Sequence, residues 1–427
     1  DGSLARGCTM GSTIWTMLLL TAVTAGPQEA PDDRLYGRVV TAAGNVHEGW
    51  LRWDPNEGSW THVLDGSKEM PWQNLRDAER LDPDRAARAA RDRSVDLLGL
   101  RISWDEDEGP GYPRLATAGV RFGHVRRLVV YSDDRARIEL RSGEEMVLHG
   151  ASTDLGDDLR ELVVEDPRGG RVELRWRDLD EVEFMDPPRG TPPPADARLH
   201  GTLTTRRGLA FTGFISWDVD EILGSDVLDG DQAGEDRELP FHRIASIEPD
   251  GPDGARVVLV DGEELLLRGS NDVDHRNRGI GVADPALGMV TVGWDELESV
   301  RFHPAGEGSG GRARFTGGHP LWGQVEAATG EVLVGWLRWD NDEAWSWELL
   351  DGEQDGVDFD VELGMVDRIA RLGSWGAEVT LLDGRTFELE GSNDVDDGNK
   401  GIYVTPDGGE TVRVPWSELR RVVFQHP

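Results

Sequence analysis

Shifted by 122 residues, this chain overlays on itself: Trp217 falls on Trp339, Asp261-Gly262 on Asp383-Gly384, Trp294 on Trp416 and Phe302 on Phe424. A shift of 118 brings Trp176 onto Trp294, Phe184 onto Phe302 and Asp166-Pro167 onto Asp284-Pro285. Self-similarity at this period means duplicated structural units, which must each find the same fold. The chain therefore divides into units at 34–186, 196–304 and 318–427. The joints are "DPPRGTPPPADA" (Asp186–Ala197), Pro-rich and semi-rigid, and "AGEGSGGRARFTGG" (Ala305–Gly318), Gly-rich and flexible. A length of 427 residues also exceeds what one ordinary core supports.

Within a unit the grammar is that of short strands. The first half of the second unit reads "LHGTLTTRRGLAFTGFISWDVDE", then "DVLDG", then "ELPFHRIASIEP". Its second half reads "ARVVLVDGEELLLRG", a polar loop, "GMVTVGW" and "DELESVRF". Alternating apolar and polar residues, enrichment in Val, Ile, Leu and Trp, and "DG" turns predict antiparallel strands. Four strands, one tight helical turn and a fifth strand per half resemble SH3-like small barrels, in the group that includes Sm-like and PRC barrels. That resemblance implies an all-β protein of tandem small barrels, two per unit, and a binding role. The first unit carries an insertion at about 80–119, where "LDPDRAARAARDRSVDLLG" predicts a helix starting near Asp82 or Asp84.

The formal net charge is −37, with Lys68 and Lys400 the only lysines. Such a surface repels nucleic-acid phosphates and anionic lipid heads, and attracts cations. Arg6 followed by the apolar run Ile14–Val23, with small residues at Val23 and Ala25, reads as a signal peptide over 1–25. The expected location is periplasmic or extracellular. The run is too short to span a membrane, and no other apolar stretch is long enough. The single cysteine, Cys8, would leave with the leader, so neither disulfides nor thiol chemistry are expected in what remains.

Two features are candidates for binding. "GSNDVDHRNRGIGV" (Gly269–Val282) returns as "GSNDVDDGNKGIYV" (Gly391–Val404). Asn271, Asp272, Asp274 and Asn277, with Asn393, Asp394, Asp396 and Asn399, offer hard oxygen ligands for a cation such as calcium. The same residues also suit a tight turn: Asn and Asp bond their own backbone, and Gly279 and Gly401 supply a positive φ. The first unit's "ASTDLGDDLRELVV" keeps only Asp154. The second feature is tryptophan: Trp336, Trp345 and Trp347 lie close together beside carboxylates, as on a sugar-binding face, whereas Trp339 recurs as Trp53 and Trp217 and belongs to the core.

"GEGSGG" (Gly306–Gly311) matches a dinucleotide fingerprint by letter alone, with no strand before it and no helix after it. No P-loop, nucleophile elbow, zinc-protease or Cys-x-x-Cys motif is present. The expectation is a non-catalytic exported protein, without cofactor, that binds or scaffolds a protein or polysaccharide partner. The alternative is a carbohydrate- or divalent-cation-binding module.

Overall fold

The computed structural model describes residues 33–83 and 113–426, apart from 55, 151, 167–169, 193, 195 and 307–310, together with residue 2 and a short pairing of 96–97 with 100–101. The leader at 1–25 and the Ala/Arg-rich run of the insertion from residue 84 onward lie outside the described residues. The chain is all-β: two large antiparallel sheets, of ten and twenty strands, and one α-helix among the described residues. No helix among the described residues is long and apolar enough to cross a membrane.

One strand order is used three times. In the third unit it runs Val412–Val414, Ile402–Thr405, Val332–Arg338, Trp322–Ala327, Leu419–Phe424, Val366–Arg371, Gly376–Leu381, Thr386–Glu390, Leu349–Gln354, Val357–Glu362. The second unit repeats it from Gly288–Val292 to Glu235–Pro240. The first unit repeats it from Gly170–Leu174 to Leu115–Arg121, and this is the ten-stranded sheet. The twenty-stranded sheet is the second and third units joined by pairing of Gly288–Val292 with Val357–Glu362.

This order differs from the expected pair of barrels per unit. The last strand of the second half, Leu419–Phe424, lies between the first and last strands of the first half, Trp322–Ala327 and Val366–Arg371. The halves interleave into one curled sheet, and no closed barrel forms among the described residues. Strand grammar reports local alternation; partners are chosen by non-local packing, which alternation does not encode. The interleaving explains one recurrent glycine. A Cβ at Gly49, Gly213 or Gly335 would fall 2.2, 2.0 or 2.4 Å from a backbone carbonyl of the neighbouring strand, so only Gly permits the approach.

The helix expected from Asp82 or Asp84 onward lies outside the described residues. A helix that the sequence reading did not include, Trp72–Leu81, precedes the Ala/Arg-rich run and ends on Asp82 as its C-cap. Pro71 opens it, and Leu75 and Ala78, three apart on one face, pack on Tyr403 of the third unit. Arg338 donates to Asn74 Oδ1 at 2.7 Å beside this contact. The Gly-rich joint is no free tether. Arg312 lies 5.3 Å over the Trp60 ring, and Phe315 meets His124 edge-on at 5.1 Å within the first unit's core. The second and third units share one continuous core, in which Phe211, Phe359 and Phe387 cluster.

Candidate functional site

The repeated Asn/Asp loop sits against a repeated corner. Each unit has a buried Trp followed by an Asp at positive φ: Trp53-Asp54, Trp217-Asp218 and Trp339-Asp340, with φ of 40°, 47° and 44° at the Asp. The loop aspartates Asp154, Asp272 and Asp394 tie this corner to the "DG" strand. Their backbone carbonyls accept the Trp indole N–H at 2.9, 2.9 and 3.0 Å. Their carboxylates accept the backbone N–H of Asp65, Asp229 and Asp351 at 2.7, 2.7 and 2.9 Å. In return, Asp54 and Asp218 accept the backbone N–H of Arg160 and Arg278 at 2.9 and 2.5 Å, and Asp340 accepts that of Lys400.

The other candidate cation ligands turn inward, onto the corner or onto their own loop. Asn271 and Asn393 donate to Asp218 and Asp340 at 2.5 and 2.8 Å. Asp274 and Asp396 accept from the backbone of Arg276 and Gly398, and Asn277 and Asn399 from Gly279 and Gly401. Gly279 and Gly401 stand at φ of 125° and 101°. Asp272 alone of the eight joins a carboxylate group able to hold a metal among the described residues: Asp218, Glu221 and Asp272 offer oxygens within 4.8 Å of one another.

Glu221 and its equivalents Glu57 and Glu343 are residues that sequence reasoning missed. The signal was present as a Trp-Asp-x-x-Glu spacing repeated in all three units. Each Glu exchanges backbone hydrogen bonds with the Trp, and each leaves Oε2 buried without a partner. Burial, then the adjoining Asp154 and Asp54, pushes Glu57 up to about 10. Burial, then Asp220 and Asp272, pushes Glu221 up to about 9. Burial and Asp342 push Glu343 well above the usual carboxylate range.

The three candidate tryptophans separate. Trp347 is buried in the core of the first sheet, and Trp345 packs against it. Both fill the contact between the first and third units, from the turn that precedes the strand Leu349–Gln354. Trp336 is 47% exposed and meets Trp322 edge-on, with ring centroids 4.8 Å apart. Trp322 was also missed; its signal was an aromatic or His before Gly at Tyr36, His200 and Trp322. Val332 and Val334, 46% and 45% exposed, continue the Trp336 face along the strand by period-2 alternation.

The equivalent pairs are covered. In the first unit Tyr36 and Trp50 stand edge-on at 5.2 Å, but Trp50 is only 6% exposed. The Pro-rich joint crosses them: Trp50 Nε1 donates to the Pro192 carbonyl at 3.3 Å, and Thr191 hydrogen-bonds the Tyr36 phenol. In the second unit His303 lies 5.0 Å from His200 beside Phe214. Position 334 is Glu48 in the first unit, where it accepts from Tyr36, and Thr212 in the second.

No protein-family model matches this chain, and neither the curated proteins nor the solved structures yield a match.

Proposed function

We propose that this chain is a non-catalytic, exported binding and scaffolding protein of the cell envelope or exterior, with its recognition face on the third unit. The observation that carries the reading is the Trp322–Trp336 pair with Val332 and Val334. It is the one of three equivalent faces that is both apolar and open among the described residues. Contiguous exposed apolar surface rimmed by polar groups marks interaction sites, and Trp adds a rigid stacking plane. The apolar run Ile14–Val23 with small residues at Val23 and Ala25 supports export, and the strong negative charge supports solubility and a partner other than nucleic acid. The test is a binding screen of the full chain on peptide and glycan arrays against Trp336→Ala. The reading requires ligands that the wild type retains and the variant loses while its melting temperature stays put. A pair of proteins indistinguishable on every array would sink it.

A second reading is a divalent-cation site at the corner of Asp218, Glu221 and Asp272, favoured by the unpartnered Glu221 Oε2. Competing with it, Arg278 already bonds both Asp218 and Asp220. A calcium titration followed by melting temperature decides: a saturable rise abolished by Glu221→Gln supports the site, and an unchanged midpoint excludes it.

A further inference from the structure

The open face of the third unit has a template inside the same molecule. Tyr36 and Trp50 occupy the positions of Trp322 and Trp336, on the same two strands and in the same edge-on arrangement, with centroids at 5.2 and 4.8 Å. What meets the first pair is the Pro-rich joint just past a tight turn, closed by the Thr191 N–H on the Pro188 carbonyl, where the Pro192 carbonyl accepts from Trp50. Its fit has a chemical reason. Proline has no N–H to satisfy, its ring lies flat on an aromatic surface, and its fixed φ leaves backbone carbonyls pointing outward as acceptors. An indole N–H at the edge of an aromatic pair is the complementary donor. Trp50 uses its N–H in this way and is 6% exposed against 47% for Trp336. The indole N–H of Trp336 has no acceptor among the described residues.

We propose that the Trp322–Trp336 face docks a proline-rich segment of a partner protein, which offers a backbone carbonyl to Trp336 as the chain's own Pro192 offers one to Trp50. The inference rests on the reading of this face as the recognition surface. Trp336 donates to a partner carbonyl, the proline rings stack on Trp322 and Trp336, and Val334 and Val332 extend the apolar track along the strand. The track is open where Glu48 closes the template, so the partner segment runs further along the sheet than the internal one does.

The probe is a capped peptide of sequence DPPRGTPPPADA, titrated into the full chain by calorimetry, with the Trp indole N–H resonances followed by NMR. The internal copy already covers Tyr36–Trp50, so the expected result is one saturable site. Trp336→Ala weakens it at least about tenfold, as loss of an aromatic anchor does. Trp336→Phe, which keeps a ring and loses the N–H, weakens it less, and a peptide with its prolines replaced by alanine does not bind. Circular dichroism and melting temperature control for folding of both variants. Absence of saturable binding, or binding indifferent to Trp336→Ala, overturns the inference. A cello- or chito-oligosaccharide that binds through Trp336 while the peptide does not overturns the proline-rich partner and leaves the recognition face standing. Array ligands insensitive to Trp336 bring down both.

Discussion

Arg121 and Glu362 occupy the same position in the first and third units, opposite Val63 and Leu349 in their strand pairs, and they bond each other: Arg121 Nε donates to Glu362 Oε2 at 2.8 Å. The two units therefore meet about a local pseudo-twofold axis. The first and second meet similarly, with Arg52 on Asp226 and the equivalent Ser216 on the equivalent His62. Duplication supplied complementary partners at matched positions, and divergence made them opposite in charge or hydrogen-bonding role.

Replacing Arg121 by Met should destabilise the protein by about 3–5 kcal/mol, because it leaves a buried carboxylate without its main partner. Burial alone would raise Glu362, but Arg121 and then His124 outweigh it and hold the group at about 2. A depressed carboxylate stabilises the fold above its unfolded pKa and loses that contribution as pH falls toward 2. Denaturant midpoints between pH 6 and 2.5 should show that acid slope in the wild type and a weaker one in Arg121→Met.

The buried glutamates act in the opposite sense. Glu57 and Glu221, raised to about 10 and 9, favour the proton in the folded state, so they oppose folding increasingly as pH rises above the unfolded carboxylate range. Glu57→Gln and Glu221→Gln should each raise stability at pH 8 by about 1–2 kcal/mol, less than a full shift implies because one side of each residue reaches solvent. Near pH 5 the gain should vanish. Melting curves of the variants at both values provide the check, and an equal gain at both would contradict the assignment.

Gly401 stands at φ of 101°, and a Cβ there would meet the Val414 carbonyl at 2.9 Å. Gly401→Val should cost roughly 1–3 kcal/mol, the scale of forced backbone strain. Asp394→Ala removes the carboxylate that caps the Asp351 N–H and should cost a similar amount, whereas Asp394→Asn keeps an acceptor oxygen and recovers most of it. Urea unfolding of the three variants ranks them.

Phe315 tests whether the Gly-rich joint is a structural wedge. Its ring lies against His124 and under the Arg121 guanidinium at 5.1 Å, and a Cβ on Gly123 would strike it at 2.1 Å. Phe315→Ala should destabilise by about 3–5 kcal/mol, the usual cost of emptying a buried aromatic site. A loss under about 1 kcal/mol in equilibrium denaturation would mean the joint is dispensable.

Much of this architecture was legible from the pattern of Trp, Gly and "DG". Those letters mark strand edges and turns, which are local. Interleaving of the halves was not legible, because Leu419–Phe424 chooses Trp322–Ala327 across nearly a hundred residues of chain. The corner was half legible: Asp272 and Asp394 stand in an obvious repeat, but Trp217 and Trp339, whose indoles they hold, lie 55 residues earlier in the chain, so the loop read as a set of ligands rather than as a clamp on those tryptophans. Trp345 and Trp347 looked like a ligand face because exposure is a property of the assembled sheets. Trp336 alone of the three has an open ring, and no local signal separates it from them.

The chain's two lysines converge on one spot. Lys68, from the first unit, is buried against Glu348 and donates to the Asp342 carbonyl at 2.7 Å; Lys400 bonds Asp340 at 2.6 Å from the other side of the same turn. Outside that turn the described surface carries its positive charge on guanidinium groups alone. Reagents and enzymes that read a free primary amine, from glutaraldehyde to acetyl- and ubiquitin-transferases, therefore meet a protein whose side-chain amines are both ion-paired, Lys68 buried and Lys400 half-buried. Immobilising or labelling it through carboxylates would leave the folded body intact, whereas forcing amine chemistry on Lys68 would pry apart the seam between its first and last thirds.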